Sequence, residues 1–236
     1  MKHLLFFIIF LPIISFSQYE YWDENFETPP TRIWIDSNST DSLWQIGMPQ
    51  KNNFNAAYSG SNVIVTDTVN TYPPNAYARF YIEFELGGAT PYVSWKQKMD
   101  TDLGHAGGTV ELTFDGGIHW LPIYDGQYYD NMIDTTFGMT GSWADLFGFY
   151  VNNGPNINDT INGMPSYQGI NNNWIDVQID FLCMAVKMNQ EFLLRFTFYS
   201  DSTISNLDGW MIDNVFIDNM SICSSINEFQ NGISNI

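Results

Sequence analysis

The feature that most constrains this chain is a period of two. Residues 78–86 read ARFYIEFEL, with Phe80, Ile82, Phe84 and Leu86 at alternate positions. Successive side chains of a strand point to opposite faces, so this spacing sends four apolar groups into one layer. A helix would scatter the same four around its axis. Residues 92–99 (YVSWKQKM) alternate again, and residues 108–114 put Val110, Leu112 and Phe114 on one side. Residues 174–181 carry Trp174, Ile175, Val177, Ile179 and Phe181 with one break in the alternation. Residues 62–67, 191–199 and 210–217 complete a set of short strands.

What lies between these runs supports the same reading. Asp115-Gly116-Gly117 is a hairpin signal between Phe114 and Trp120. Gly87-Gly88 ends one strand and Pro91 helps to start the next. No amphipathic stretch has helix caps at both ends, and residues 181–190 are long enough for a turn or two at most. Short alternating strands separated by Gly, Asn and Asp predict an all-β fold, an antiparallel β-sandwich. Residues 125–173 are rich in Asn, Gly and Met. They read as long loops, either functional or inert, with residues 143–150 docking as a strand or short turn.

The N-terminus bounds the compartment. Lys2 and His3 precede an almost wholly apolar run over residues 4–14, and Ser15-Phe16-Ser17 then offers small residues before Gln18. This predicts a secretory signal peptide over residues 1–17. The run is too short to span a bilayer, which takes about 20 apolar residues. No later segment is long or apolar enough either. The chain carries a formal charge of −18, slightly more once Lys2 leaves with the leader. So acidic a surface argues against nucleic acid and anionic membranes as partners. Cys183 and Cys223 are the two cysteines. An oxidising compartment permits them to pair, and two buried thiols are the alternative.

Constellations for catalysis are sparse. Beyond the leader only His105 and His119 remain, with no His-Glu-x-x-His and no Gly-x-Ser-x-Gly. A glycosidase or lyase needs little more than two carboxylates, and acidic residues are plentiful. Calcium is a stronger expectation, because hard cations want carboxylate and carbonyl oxygens. Asn25-Phe26-Glu27, Asp100-Thr101-Asp102 and the run of Asp201, Asp208 and Asp213 offer them. If the first and last strands are neighbours, Glu27 and Asp213 converge on one ion. Otherwise these are turn and cap residues. Eight tryptophans raise the possibility of sugar stacking. Trp95, Trp174 and Trp210 sit inside strand patterns and belong to the core. Trp34, Trp44, Trp120 and Trp143 lie in or near turns and are the ligand candidates.

Several strings, in order, resemble a known family. They are Asn25-Phe26-Glu27, Trp44-x-x-Gly47-x-Pro49, Val93-Ser94-Trp95 and Gly107-Gly108-Thr109-Val110-Glu111-Leu112-Thr113-Phe114-Asp115-Gly116-Gly117-x-x-Trp120. Trp174 with Asp176, Leu194-Arg195-Phe196-x-Phe198-x-Ser200-Asp201 and Asp208-Gly209-Trp210-Met211-Ile212-Asp213-Asn214-Val215 follow. Together they resemble the MAM-like jelly-roll domains of the concanavalin-A-like class, found in secreted Bacteroidetes proteins and beside immune inhibitor A-type metallopeptidases. The resemblance implies a jelly roll over residues 18–222 and a non-catalytic role in adhesion or as an accessory module. It also implies a structural calcium on Glu27 and Asp213, with Asp201 or Asp208. Residues 223–236 resemble the lead-in to a type IX secretion sorting domain, without its Pro-Asn-Pro string. The expected function is a secreted or cell-surface module whose partner is a glycan or a surface protein. A carbohydrate-binding module and a glycosidase or lyase of the same sandwich class are the alternatives.

Overall fold

The computed structural model describes residues 21–37, 42–86, 92–113, 116–129, 149–181 and 190–218. The leader, Trp143, Cys183, Cys223 and the 223–236 tail lie outside the described residues. Fifteen strands are described. The early ones are β1 (Tyr21–Glu24), β2 (Ile33–Ile35), β3 (Trp44–Gly47), β4 (Val63–Thr66), β5 (Tyr77–Leu86), β6 (Tyr92–Asp100) and β7 (Ala106–Thr113). Next come β8 (Leu121–Pro122), β9 (Tyr128–Tyr129), β10 (Phe149–Asn152), β11 (Thr160–Ile161) and β12 (Met164–Pro165). The long β13 (Ile170–Phe181), β14 (Gln190–Ser200) and β15 (Gly209–Asp218) close the order. No α-helix occurs among the described residues.

The strands form two main antiparallel sheets. The larger runs β3-β4-β15-β6-β13-β10-β9, with β1 also paired to β15. The smaller runs β2-β5-β14-β7-β8. Consecutive strands change sheet: β5, β6 and β7 alternate between the two, and so do β13, β14 and β15. This crossing is the jelly-roll pattern of a β-sandwich. All seven expected strands are present. The 125–173 region departs from the loop reading, because β9 and β10 extend the larger sheet while β11 and β12 form a small hairpin. Two-residue strands are too short to leave an alternation in the sequence.

The core is aromatic and lies between the sheets. Phe80, Ile82 and Phe84 of β5 face it, as do Phe192, Leu194, Phe196 and Phe198 of β14. Phe80 stacks on Phe196 at 4.5 Å, and Trp95 and Trp210 reach Phe196 from the other sheet at 5.1 and 5.7 Å. Burying one phenylalanine contributes roughly 1.5–3 kcal/mol. Both indole N–H groups need an acceptor in this dry layer. The side-chain oxygen of Gln97 accepts from each, at 3.0 Å from Trp95 and 3.1 Å from Trp210. Gly108 makes room for the same cluster, since a Cβ there would collide with the Trp210 ring.

Two tryptophans fall on the opposite side from expectation. Trp44 is 2 % exposed, its ring 4.7 Å from Phe80 and 5.6 Å from Trp210, with Nε1–H donating to the Ala78 carbonyl at 3.1 Å. It begins a strand too short to show a period, so its inward direction is invisible in the sequence. Trp174 leaves the main core. A register shift between Asn171 and Ile175 turns it to the outer face of the larger sheet, where it meets Tyr58 edge-on at 5.7 Å. There it packs against a small second core of Phe54, Val63, Val65 and Met211.

Candidate functional site

The smaller sheet presents an aromatic row on its outer face. Phe80 and Ile82 point inward, so Tyr81 between them points out. By the same alternation Arg195 and Glu111 point out from β14 and β7. The register then aligns them in one rung, pairing Trp34 with Tyr81, Tyr81 with Arg195, and Arg195 with Glu111. Trp34 stacks on Tyr81 at 5.3 Å with the planes 15° apart. It sits on edge strand β2 and is 41 % exposed, so one indole face rests on Tyr81 and the other meets solvent.

The far end of the row is held by the β7–β8 hairpin. Trp120 Nε1–H donates to the Gly117 carbonyl at 3.0 Å, and Gly117 takes a φ of 88° that favours glycine. The Arg195 guanidinium lies 4.0 Å from the centre of the Trp120 ring. It also grips Glu111 through two hydrogen bonds of 2.8 and 2.7 Å. A bidentate pair of this kind is stiff and locally neutral. The Trp120 ring is thus fixed by a turn, a cation and a carboxylate before any ligand arrives. Arg79 and Asp36 form a second neutral pair at 2.6 Å, with Arg79 over the Tyr77 ring. The protein is strongly acidic, yet on this face these charges are matched. Flat ring faces beside fixed polar groups suit the C–H faces and hydroxyls of a sugar chain.

Trp34 and Trp120, both expected as ligand candidates, therefore belong to one surface. Tyr81, Arg195 and Glu111 were missed by the search for tryptophans, although parity alone places all three outward.

The four carboxylates expected to hold calcium do not meet. Glu27 Oε1 accepts the amides of Ser61 and Asn62 at 2.6 and 2.7 Å, which holds its carboxyl below the usual range. Asp213 Oδ2 accepts the amides of Tyr58 and Ser59 at 2.8 and 2.9 Å. Burial pushes the Asp213 carboxyl up despite these bonds, and the nearby Glu27 charge adds to the push. These two do fasten one loop from both sides, because β1 and β15 are paired as expected of first and last strands. Asp201 is elsewhere, bonded to His105 Nδ1 at 2.8 Å. That bond and those from Thr203 hold its carboxyl at about 2, and the same contact raises His105. Asp208 Oδ2 accepts the amides of Asn53 and Phe54 at 2.7 and 2.8 Å.

This donor set does not fit a calcium ion. Its oxygens already accept N–H groups, and no group of three or more His, Cys, Asp or Glu among the described residues could hold a metal. Near Asp208 the protein supplies its own cation. Lys51 Nζ donates to the carbonyls of Thr66, at 2.7 Å, and of Asp208. Asp100 Oδ1, buried there without a hydrogen-bond partner, lies in the field of that ammonium.

No protein-family model matches the chain. No curated protein matches it significantly. Among solved structures it is similar to the K1 cleaved adhesin domain of Lys-gingipain from Porphyromonas gingivalis W83. The identity is 13 % and the TM-score 0.44, over 86 % of this chain and 99 % of that one. The CBM22-1 xylan-binding domain of Paenibacillus barcinonensis Xyn10C is similar at 12 % identity and a TM-score of 0.42, over 88 % and 99 %. The carbohydrate-binding module TmCBM61, solved with β-1,4-galactotriose, is similar at 7 % identity and a TM-score of 0.43, over 80 % and 88 %. Likenesses this low do not bear on the ligand.

Proposed function

We propose that the chain is an exported, non-catalytic β-sandwich module that holds a glycan on the outer face of its smaller sheet. The observation that carries this reading is the pre-positioned row of Trp34, Tyr81 and Trp120. Its rings are locked by stacking, by the Gly117 carbonyl and by the neutral Arg195–Glu111 pair. Rings fixed beforehand lose little entropy on binding, which favours recognition by stacking. Export is the part of the proposal that rests on residues 1–17. An adhesive role follows if the glycan belongs to a surface.

A glycan array probed with the full chain and with Trp34→Ala and Trp120→Ala tests the reading. Each substitution is expected to weaken binding of the preferred glycan at least tenfold, about 1.4 kcal/mol, with the circular dichroism spectrum unchanged. A chain that retains no glycan, or variants that bind as the parent does, would overturn it.

A further inference from the structure

A second recess lies on the opposite side of the molecule. It is an open groove of about 310 Å³ where β1, β15, β6 and β13 come together on the outer face of the larger sheet. That volume is at the small end of ligand-sized sites, which run from about 300 Å³ upward. The groove exists because β15 is irregular. Its pairing with β6 shifts between Asp213 and Phe216, and Asn214 takes a φ of 46°. The bulge keeps Val215 and Ile217 in the core while Asn214 and Phe216 line the groove.

The lining is unevenly charged. Asp23, Glu24 and Asp176 contribute carboxylates, and Lys96 is the one cation among the lining residues. Lys96 is already committed, pairing with Asp176 at 2.9 Å and lying over the Tyr58 ring. Asp23 and Glu24 are left without a positive partner in the lining. Glu24 is 6 % exposed, and its Oε1 accepts the Phe26 amide at 2.6 Å. No donor among the described residues reaches its Oε2. Burial raises the Glu24 carboxyl, and the charges of Asp23 and Asp213 raise it further. A buried carboxylate with an open oxygen, pressed by two other carboxylates, favours any cation that reaches it. The rest of the lining suits a sugar ring: Ser59, Ser94, Asn25 and Asn214 exchange hydrogen bonds with hydroxyls, and Phe216 offers an aromatic wall.

We propose that this groove is a second ligand site, for a sugar unit that carries a free ammonium group. Asp23 and Glu24 hold the ammonium, and the hydroxyl and amide side chains hold the ring. Lys96 competes with the ligand for Asp176. The site is independent of the aromatic row on the other face, so a chain with both sites engages two glycans at once.

Calorimetric titration of the full chain with the β-1,4-linked glucosamine dimer and with its fully N-acetylated counterpart is the test. The free amine is expected to bind at least tenfold more tightly. Glu24→Gln is expected to weaken the amine at least tenfold. Lys96→Ala is expected to strengthen it several-fold, because Asp176 is released. A purely structural role for these residues does not produce opposite signs. Equal affinity for amine and amide, no binding of either, or a Lys96→Ala variant that binds more weakly would overturn the proposal. So would an Nα-acetyl-lysine amide that binds as tightly as the dimer, since a basic side chain would then be the ligand.

Discussion

Lys51 places an ammonium where water barely reaches it, at 7 % exposure. Burial lowers its pKa to about 8 from an ordinary 10.5, against the opposing pull of Asp208, Asp67 and Asp100. The sign of the consequence follows from proton counting. Below pH 8 both folded and unfolded chains carry the proton, and the cost of burying the charge is present in full. Between about 8 and 10.5 the unfolded chain binds more protons than the folded one, so stability rises with pH. Above 10.5 the cost is gone. The gain across that window is about 3 kcal/mol at 1.4 kcal/mol per pH unit. Urea unfolding of the parent and of Lys51→Met at pH 7.5, 9 and 10.5 checks it. The parent is expected to gain on the variant as pH rises, and parallel profiles would contradict the account. Nothing around Lys51 in the sequence marks it, because its partners are the carbonyls of Thr66 and Asp208, far along the chain.

At the scale of elements, the alternation in β5, β6, β14 and β15 was legible because each strand is long and buries one face. Short β3, β8 and β9 were not, since four residues or fewer fit any period. Bulges were not legible either. The irregularity at Asn171–Ile175 moves Trp174 to the surface, and the one at Asp213–Phe216 opens the groove. The same bulge positions Asp213 as an acceptor for the amides of Tyr58, Ser59 and Asn214, so one buried carboxylate fastens a loop to β15. Asp213→Ala leaves those amides without acceptors and is expected to cost about 2–3 kcal/mol. Hydrogen exchange at Tyr58 and Ser59 should accelerate well before exchange in β14. Unchanged exchange at those two amides would show that the loop is held by other contacts.

Across the whole molecule, charge is the property that stands out. A chain at −18 repels itself, and the compact state feels this more than the unfolded one. Salt screens the repulsion, with a Debye length of about 10 Å at 0.1 M. The thermal midpoint is therefore expected to rise between 10 and 200 mM sodium chloride. Calcium chloride at matched ionic strength separates screening from a specific ion. With carboxylates already engaged by amides, the two salts should give similar rises. A much larger effect of calcium, reversed by chelator, would restore the metal site that the sequence suggested. No helix among the described residues is long and apolar enough to cross a membrane.

The sequence by itself determined the class of fold and the direction of most side chains. A period of two is a local property, so Phe80 inward and Tyr81 outward could be read from five neighbouring residues. It also placed Trp34 and Trp120 near turns and named them as candidates. What only the tertiary structure decided is which outward residues share a rung. Trp34, Tyr81, Arg195 and Glu111 come from four strands joined by long connections, and strand order and register brought them side by side. The carboxylates show the same limit from the other direction. Glu27, Asp201, Asp208 and Asp213 have the chemistry of ion ligands, yet each is held by hydrogen-bond donors close to it. Local pattern sets what a residue can face; the pairing of distant strands sets what it meets there.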